Sequence, residues 1–170
     1  MENKKIILHH LVLLGLIINV LPSCLSTKTE EYEQKEAAEI QEYLDSNPAL
    51  NFELKTSGLY YLDIVTGNGL PASVHDTAYV FYSVTFLDGK ELDSNVGTKD
   101  TLIFPIGEGL LISGFDEGIT YMIEGGQAKF LVPSKLAYGS AGNYYGTIPA
   151  YTPLLFDVSL VRVKQGLRIK

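Results

Sequence analysis

A single cysteine, Cys24, stands among the 170 residues, so no intramolecular disulfide can close. Basic side chains are also scarce. Thirteen Lys and Arg face 20 Asp and Glu, a formal charge of −7, and no electrostatic footprint for nucleic acid can be built from that balance. Histidine is the third shortage: His9 and His10 sit in an N-terminal apolar run, leaving His75 on what reads as a surface loop and too few soft ligands for a zinc site. Two glycine motifs are incomplete. Gly107 and Gly109 lack the third glycine of a dinucleotide fingerprint, because Ile112 takes its place and no βαβ pattern surrounds it. Ser140 lacks the glycine that a nucleophile elbow places two residues earlier. The expectation is a protein with no cofactor, no metal and no nucleic-acid partner.

What is present begins with a targeting pattern. Lys4 and Lys5 precede an apolar stretch over residues 6–21 that runs into Pro22, Ser23 and Cys24. About sixteen residues is short for a membrane-spanning helix, which needs roughly 20, and suits the core of a signal peptide. The position of Cys24 resembles a bacterial lipobox, in which cleavage before the cysteine frees it to carry a lipid. Residues 1–23 are therefore expected to leave as a signal peptide, with Cys24 as lipid anchor; the other reading is a retained anchor with an incidental cysteine. Residues 24–56 read as an acidic stalk. Over residues 25–47, Lys28 and Lys35 oppose seven acidic residues, Thr27 and Glu30 resemble a capping box, and Tyr32, Ile40, Tyr43 and Leu44 form a weak apolar stripe that Asn47 and Pro48 end. This predicts a short solvated helix, with a dimerisation helix as the alternative.

From Thr56 the texture is β. Residues 59–65 and 77–87 alternate apolar and polar, with Val80, Tyr82, Val84 and Phe86 on one face of the second run, and Asp88 and Gly89 supply a turn. Residues 91–94, 101–106, 127–132 and 154–163 read as further strands, and 133–153 as a long loop rich in Gly, Tyr and Pro. Between them, Ile112, Phe115, Ile119 and Met122 recur at helical spacing, closed by Glu124, Gly125 and Gly126. Strands first, one short helix late and a long final strand predict an α+β domain over residues 57–170 with an antiparallel sheet. The 170-residue chain holds one domain of ordinary size plus something extra, and its 46% hydrophobic residues can furnish a core.

The residues Tyr82, Leu87-Asp-Gly-Lys-Glu-Leu-Asp93-Ser94, Ile106-Gly107, Leu111-Ile112-x-Gly-Phe115-Asp-Glu-Gly118, Met122, Gly125, Ala128-Lys129, Val132-Pro133, Leu136-Ala-Tyr138-Gly139, Gly142, Ile148-Pro149 and Leu155-Phe156-Asp157-Val158 follow one another in an order and spacing that resembles the FKBP-type peptidyl-prolyl isomerase signature. The resemblance covers residues 58 to 165. It implies a curved antiparallel sheet wrapped around the short helix, an apolar pocket between them, and acceleration of X-Pro rotation without covalent catalysis.

The same resemblance implies that Tyr82, Asp93, Phe115 and Tyr138 carry the catalysis, with Phe115 as pocket floor, and that Leu92, Phe104, Leu111, Ile112, Tyr145, Ile148 and Phe156 bind substrate. The Ile112 N–H and the Tyr138 hydroxyl would bond the substrate's carbonyls. The aromatic contact from the loop 143–147 could come from Tyr144 or Tyr145. Phe115 stands where that family usually has Trp, Leu92 and Leu102 where it often has Phe, and Val84 where Gly is frequent. The implied partners are proline-containing polypeptides, met by a monomer held through Cys24 at a bacterial cell envelope, with the outer membrane expected. The alternative is a chaperone or peptide-binding module with little turnover.

Overall fold

The computed structural model describes residues 28–166, so the expected signal segment, Cys24 and Thr27 lie outside the described residues. Helix α1 spans Lys28–Ser46. Strands β1 (Glu53–Leu54), β2 (Tyr60–Val65), β3 (Thr77–Thr85), β4 (Glu91–Ser94) and β5 (Leu102–Pro105) follow it. Then come helix α2 (Ser113–Thr120), β6 (Gln127–Val132) and β7 (Leu154–Lys164). The strands form one sheet in the order β1-β2-β6-β7-β3-β4, with β5 also on β3, and every pairing is antiparallel.

Strand β3 gives up one edge to two partners. Its first half, Thr77 to Val80, pairs with β5, and its second half, Ser83 to Thr85, pairs with β4. In the gap the side-chain amide of Asn95 replaces the missing ladder: Oδ1 accepts the Tyr82 N–H at 2.7 Å and Nδ2 donates to the Val80 carbonyl at 3.1 Å. Backbone polar groups that would otherwise be orphaned are satisfied there, and the sheet can bend without losing Tyr82 from its face.

Alternation along the strands sorts side chains between two faces. Ala128, Phe130 and Val132 of β6 and Leu154, Phe156, Val158 and Leu160 of β7 join Val80, Val84, Phe104, Phe115, Ile119 and Met122 in the main core. Leu131 and Leu155, one residue out of phase, point the other way. There they meet Ile40 of α1, with Tyr43, Leu44, Phe52, Tyr60 and Leu87 around them.

Helix α2 lies close on the first face because Gly114 and Gly118 are four residues apart. A Cβ on Gly118 would come within 2.6 Å of the Phe130 ring, and one on Gly114 within 2.4 Å of Val132 Cγ1. Glycine costs a helix about 1 kcal/mol per position relative to Ala, and the close approach offsets that cost. The helix is shorter than its apolar spacing. Ile112 is its extended N-cap and Met122 follows its end, so the four-residue stripe runs past the helix at both ends while Phe115 and Ile119 stay within it.

The helical stalk expected before the domain is present, and most of its residues are exposed. Helix α1 has 19 residues, longer than expected, and one side of it is seated: Glu36 and Ile40 are buried against the sheet and the loop after β6. Strand β1, which the sequence reading left within the stalk, extends the sheet at Tyr60 and Tyr61. A weak stripe sufficed because two sheet residues, Leu131 and Leu155, supply the apolar partner.

Candidate active site

On the α2 side of the sheet a cavity of about 740 Å³ opens to solvent. Its floor is Phe115, which α2 places at the centre of a ring cluster. The Phe115 centroid is 5.1 Å from Phe156, 5.8 Å from Phe104, and 6.0 Å from Tyr82 and from Phe130. Tilted and edge-on geometries dominate, as the quadrupoles of aromatic rings favour. Val84, Leu92, Leu102, Leu111, Ile148 and Phe156 complete apolar walls.

The polar side chains in the lining are Tyr82, Asp93, Ser113, Tyr138, Asn143 and Thr147. The Tyr82 hydroxyl donates to Asp93 Oδ2 at 2.5 Å, and Asp93 Oδ1 accepts the Ser94 N–H at 2.9 Å. Burial first, then the bond and charge of Asp93 with a contribution from Tyr138, push the Tyr82 phenol up to about 12. Tyr82 is therefore a permanent donor near neutrality, committed to Asp93. Tyr138, 40% exposed, stands across the mouth. At the N-terminus of α2 the Ile112 carbonyl accepts the first helical N–H groups of Phe115 and Asp116, both at 3.1 Å. Among the described residues no acceptor is bonded to the Ile112 N–H, which leaves it available to a ligand. Asp116, buried, accepts the Gly107 N–H at 2.9 Å and ties the preceding turn to the helix.

The loop 133–153 forms the remaining wall. Asn143 folds its tip: Nδ2 donates to Thr147 Oγ1 at 2.7 Å, while Oδ1 accepts the Ile148 N–H at 2.9 Å. That turn aims Ile148 inward and Tyr144 and Tyr145 outward.

Ten of the eleven catalytic or binding residues expected from the sequence gather around this cavity; nine line it directly, Tyr82, Leu92, Asp93, Leu111, Ile112, Phe115, Tyr138, Ile148 and Phe156. Phe104 does not line it. Its ring lies behind Phe115, fully in the core, because the inward-facing residue of β5 is covered by the floor. Tyr145 is 84% exposed and Tyr144 97% exposed, stacked edge-on against each other at 5.4 Å and clear of the cavity. Asn143 and Thr147 line the wall where a tyrosine was expected. Leu110, Ser113, Ala137 and Leu154 also line it and were not singled out by sequence reasoning. Leu154 could have been found from strand parity, being two residues before Phe156.

The FKBP-type peptidyl-prolyl cis-trans isomerase family model matches residues 70–161, more than half of the chain. The FKBP-type peptidyl-prolyl cis-trans isomerase FkpA of Aeromonas hydrophila is 36% identical over 149 residues, which cover 87% of this chain and 53% of that protein. An FK506-binding protein of Neisseria meningitidis serogroup B is 35% identical over 106 residues, 62% of this chain and 96% of that one. The crystal structure of FkpA from Escherichia coli superposes with a TM-score of 0.69 at 32% identity, covering 81% of this chain and 63% of that chain. The chain thus spans about half the length of the FkpA sequence it matches.

Proposed function

The chain belongs to the FKBP-type peptidyl-prolyl cis-trans isomerase family, and from that premise we propose that its apolar cavity accelerates rotation about X-Pro bonds in polypeptide clients. The observation that carries the reading is Phe115 at the floor of a cavity walled by aliphatic and aromatic side chains, with Asp93, bonded by Tyr82, as its one charged lining residue.

Amide resonance sets a barrier of about 18–20 kcal/mol, and uncatalysed X-Pro isomerisation takes tens to hundreds of seconds. A twisted amide has lost that resonance and part of its charge separation. An apolar cavity therefore penalises it less than the planar ground state, relative to water. The proline ring fits against Phe115, the Ile112 N–H and Tyr138 hydroxyl hold the flanking carbonyls, and Asp93, oriented by Tyr82, faces the twisted bond. No proton need be removed and no covalent bond formed.

The test is the cis-trans exchange rate of an X-Pro peptide measured by NMR with the full chain. Catalysis is expected at substoichiometric protein, falling on Asp93→Ala and on Tyr138→Phe; no acceleration at equimolar protein would sink the proposal. A peptide-binding module with little turnover is the second reading, favoured by Leu92, Leu102 and Phe115 in the pocket wall and floor and by exposed Leu110, Tyr144 and Tyr145 on the adjoining segments. Binding without acceleration would select it.

The address belongs to the same proposal: a bacterial cell envelope, reached by the leader over residues 1–23 and held by a lipid on Cys24, with the outer membrane as destination. Lys4, Lys5 and the apolar run before Cys24 support it. A Cys24→Ala chain that stayed processed and membrane-bound would refute the anchor.

A further inference from the structure

Three residues of α1 spaced by four, Tyr32, Glu36 and Ile40, share one face of the helix. Each touches a different thing. Ile40 packs on Leu131 and Leu155 of the sheet. Both carboxylate oxygens of Glu36 are taken up by Ser134, 98 residues away: Oε2 accepts its hydroxyl at 2.6 Å and Oε1 accepts its backbone N–H. Tyr32 stacks on Tyr151, centroids 5.2 Å apart and planes 8° from parallel.

Ser134 and Tyr151 are the two ends of the loop that completes the cavity. Ser134 opens a 3-10 turn, Ser134–Leu136, which delivers Ala137 and Tyr138 to the mouth, and the Ala137 N–H closes that turn on the Ser134 carbonyl at 2.8 Å. The Tyr151 N–H donates to the Gly139 carbonyl at 2.9 Å and brings the loop's far end back beside its start. Glu36 and Ser134 are both buried, so their bonds are charge-assisted and poorly screened. A buried carboxylate is costly to desolvate, and apolar packing at Ile40 alone could hold the helix; what the carboxylate adds is a fixed position for one backbone N–H.

We propose that α1 is a clamp on the substrate loop: Glu36, a positioning residue, and Tyr32 hold the two ends of residues 133–153 and thereby set where Tyr138 and Ile148 stand. The catalytic consequence rests on the isomerase reading above; the mechanical one does not.

The experiment compares the full chain with Glu36→Ala and Glu36→Gln by amide hydrogen exchange and by X-Pro peptide exchange. A net hydrogen bond to a charged group corresponds to roughly a tenfold or larger change in an equilibrium, so Glu36→Ala is expected to speed exchange at Ser134 and across the loop by about tenfold. Amides of β3 and β7 should change less than about twofold, and kcat/KM should fall about five- to tenfold through displaced Tyr138. Glu36→Gln, which can still accept the Ser134 N–H and donate to its hydroxyl, should restore both readouts. Unchanged loop exchange in Glu36→Ala overturns the clamp. So does an equal rise in β3 and β7, which would make Glu36 a source of global stability only. A wild-type chain without turnover would overturn the isomerase reading instead, leaving the exchange comparison to decide the clamp.

Discussion

Two clefts of nearly equal size lie on this domain, one of about 740 Å³ on the α2 side and one of about 720 Å³ between α1, the outer face of the sheet and the loop after β6. Size does not distinguish them; the kind of side chain that lines them does. In the first, aromatic and aliphatic side chains surround Phe115 and the one charged lining residue is Asp93. The second is lined by Glu33, Glu36, Gln41, Ser134 and Lys135 among others, and at its centre Glu36 and Ser134 already satisfy each other. A pocket that must desolvate an X-Pro bond needs the former arrangement. The latter is a seam, whose bonds hold one element against another.

Breaking the floor of the first cleft should have the largest effect. Phe115→Ala removes the hub of the ring cluster and should cost about 3–5 kcal/mol in urea unfolding, together with the isomerase activity. Breaking the seam should cost less. Ile40→Ala empties a small cluster that solvent already borders, and a loss of about 2 kcal/mol is expected, with X-Pro turnover reduced through the loop rather than abolished. A value equal to that of Phe115→Ala would erase the distinction between pocket and seam.

The smallest effect sharpens the rim. Tyr82→Phe removes one hydrogen bond near the surface and should cost about 1 kcal/mol at neutral pH. Its alkaline behaviour is more telling. An unfolded tyrosine titrates near 10, whereas Tyr82 in the folded chain is pushed up to about 12. Between those values the unfolded chain releases a proton that the folded chain keeps, so stability falls as pH rises through that window. Tyr61, also pushed up by burial and by Asp63, contributes in the same direction. The alkaline slope of unfolding free energy should therefore be shallower in Tyr82→Phe than in wild type but not flat.

The inner face of the domain was legible because period-two and period-3.6 patterns survive in the sequence: the strands expected over 127–132 and 154–163 stand at Gln127–Val132 and Leu154–Lys164, and Phe115 lies on the buried face of its helix. The cover over Phe104 was not legible, since alternation says which face a residue takes, not whether another ring covers it. The outward position of Tyr145 was not legible either, because the direction of a loop tip depends on side-chain bonds, here those of Asn143, that leave no periodic trace. The seam was the least legible. Glu36 reads in sequence as one more acid on an acidic helix, and only its 98-residue pairing with Ser134 reveals its position. Gly114 and Gly118 did leave a signal, two helical glycines four apart, whose meaning is a close helix-sheet approach.

The central claim, that substrate proline occupies the α2-side cleft and not its equal-sized neighbour, is tested most directly by intermolecular NOEs from a bound X-Pro peptide. Proline ring protons are predicted to contact Phe115, Ile148 and Phe156 and to show no contact with Leu54, Tyr60 or Tyr151. NOEs to those last three with none to Phe115 would contradict it.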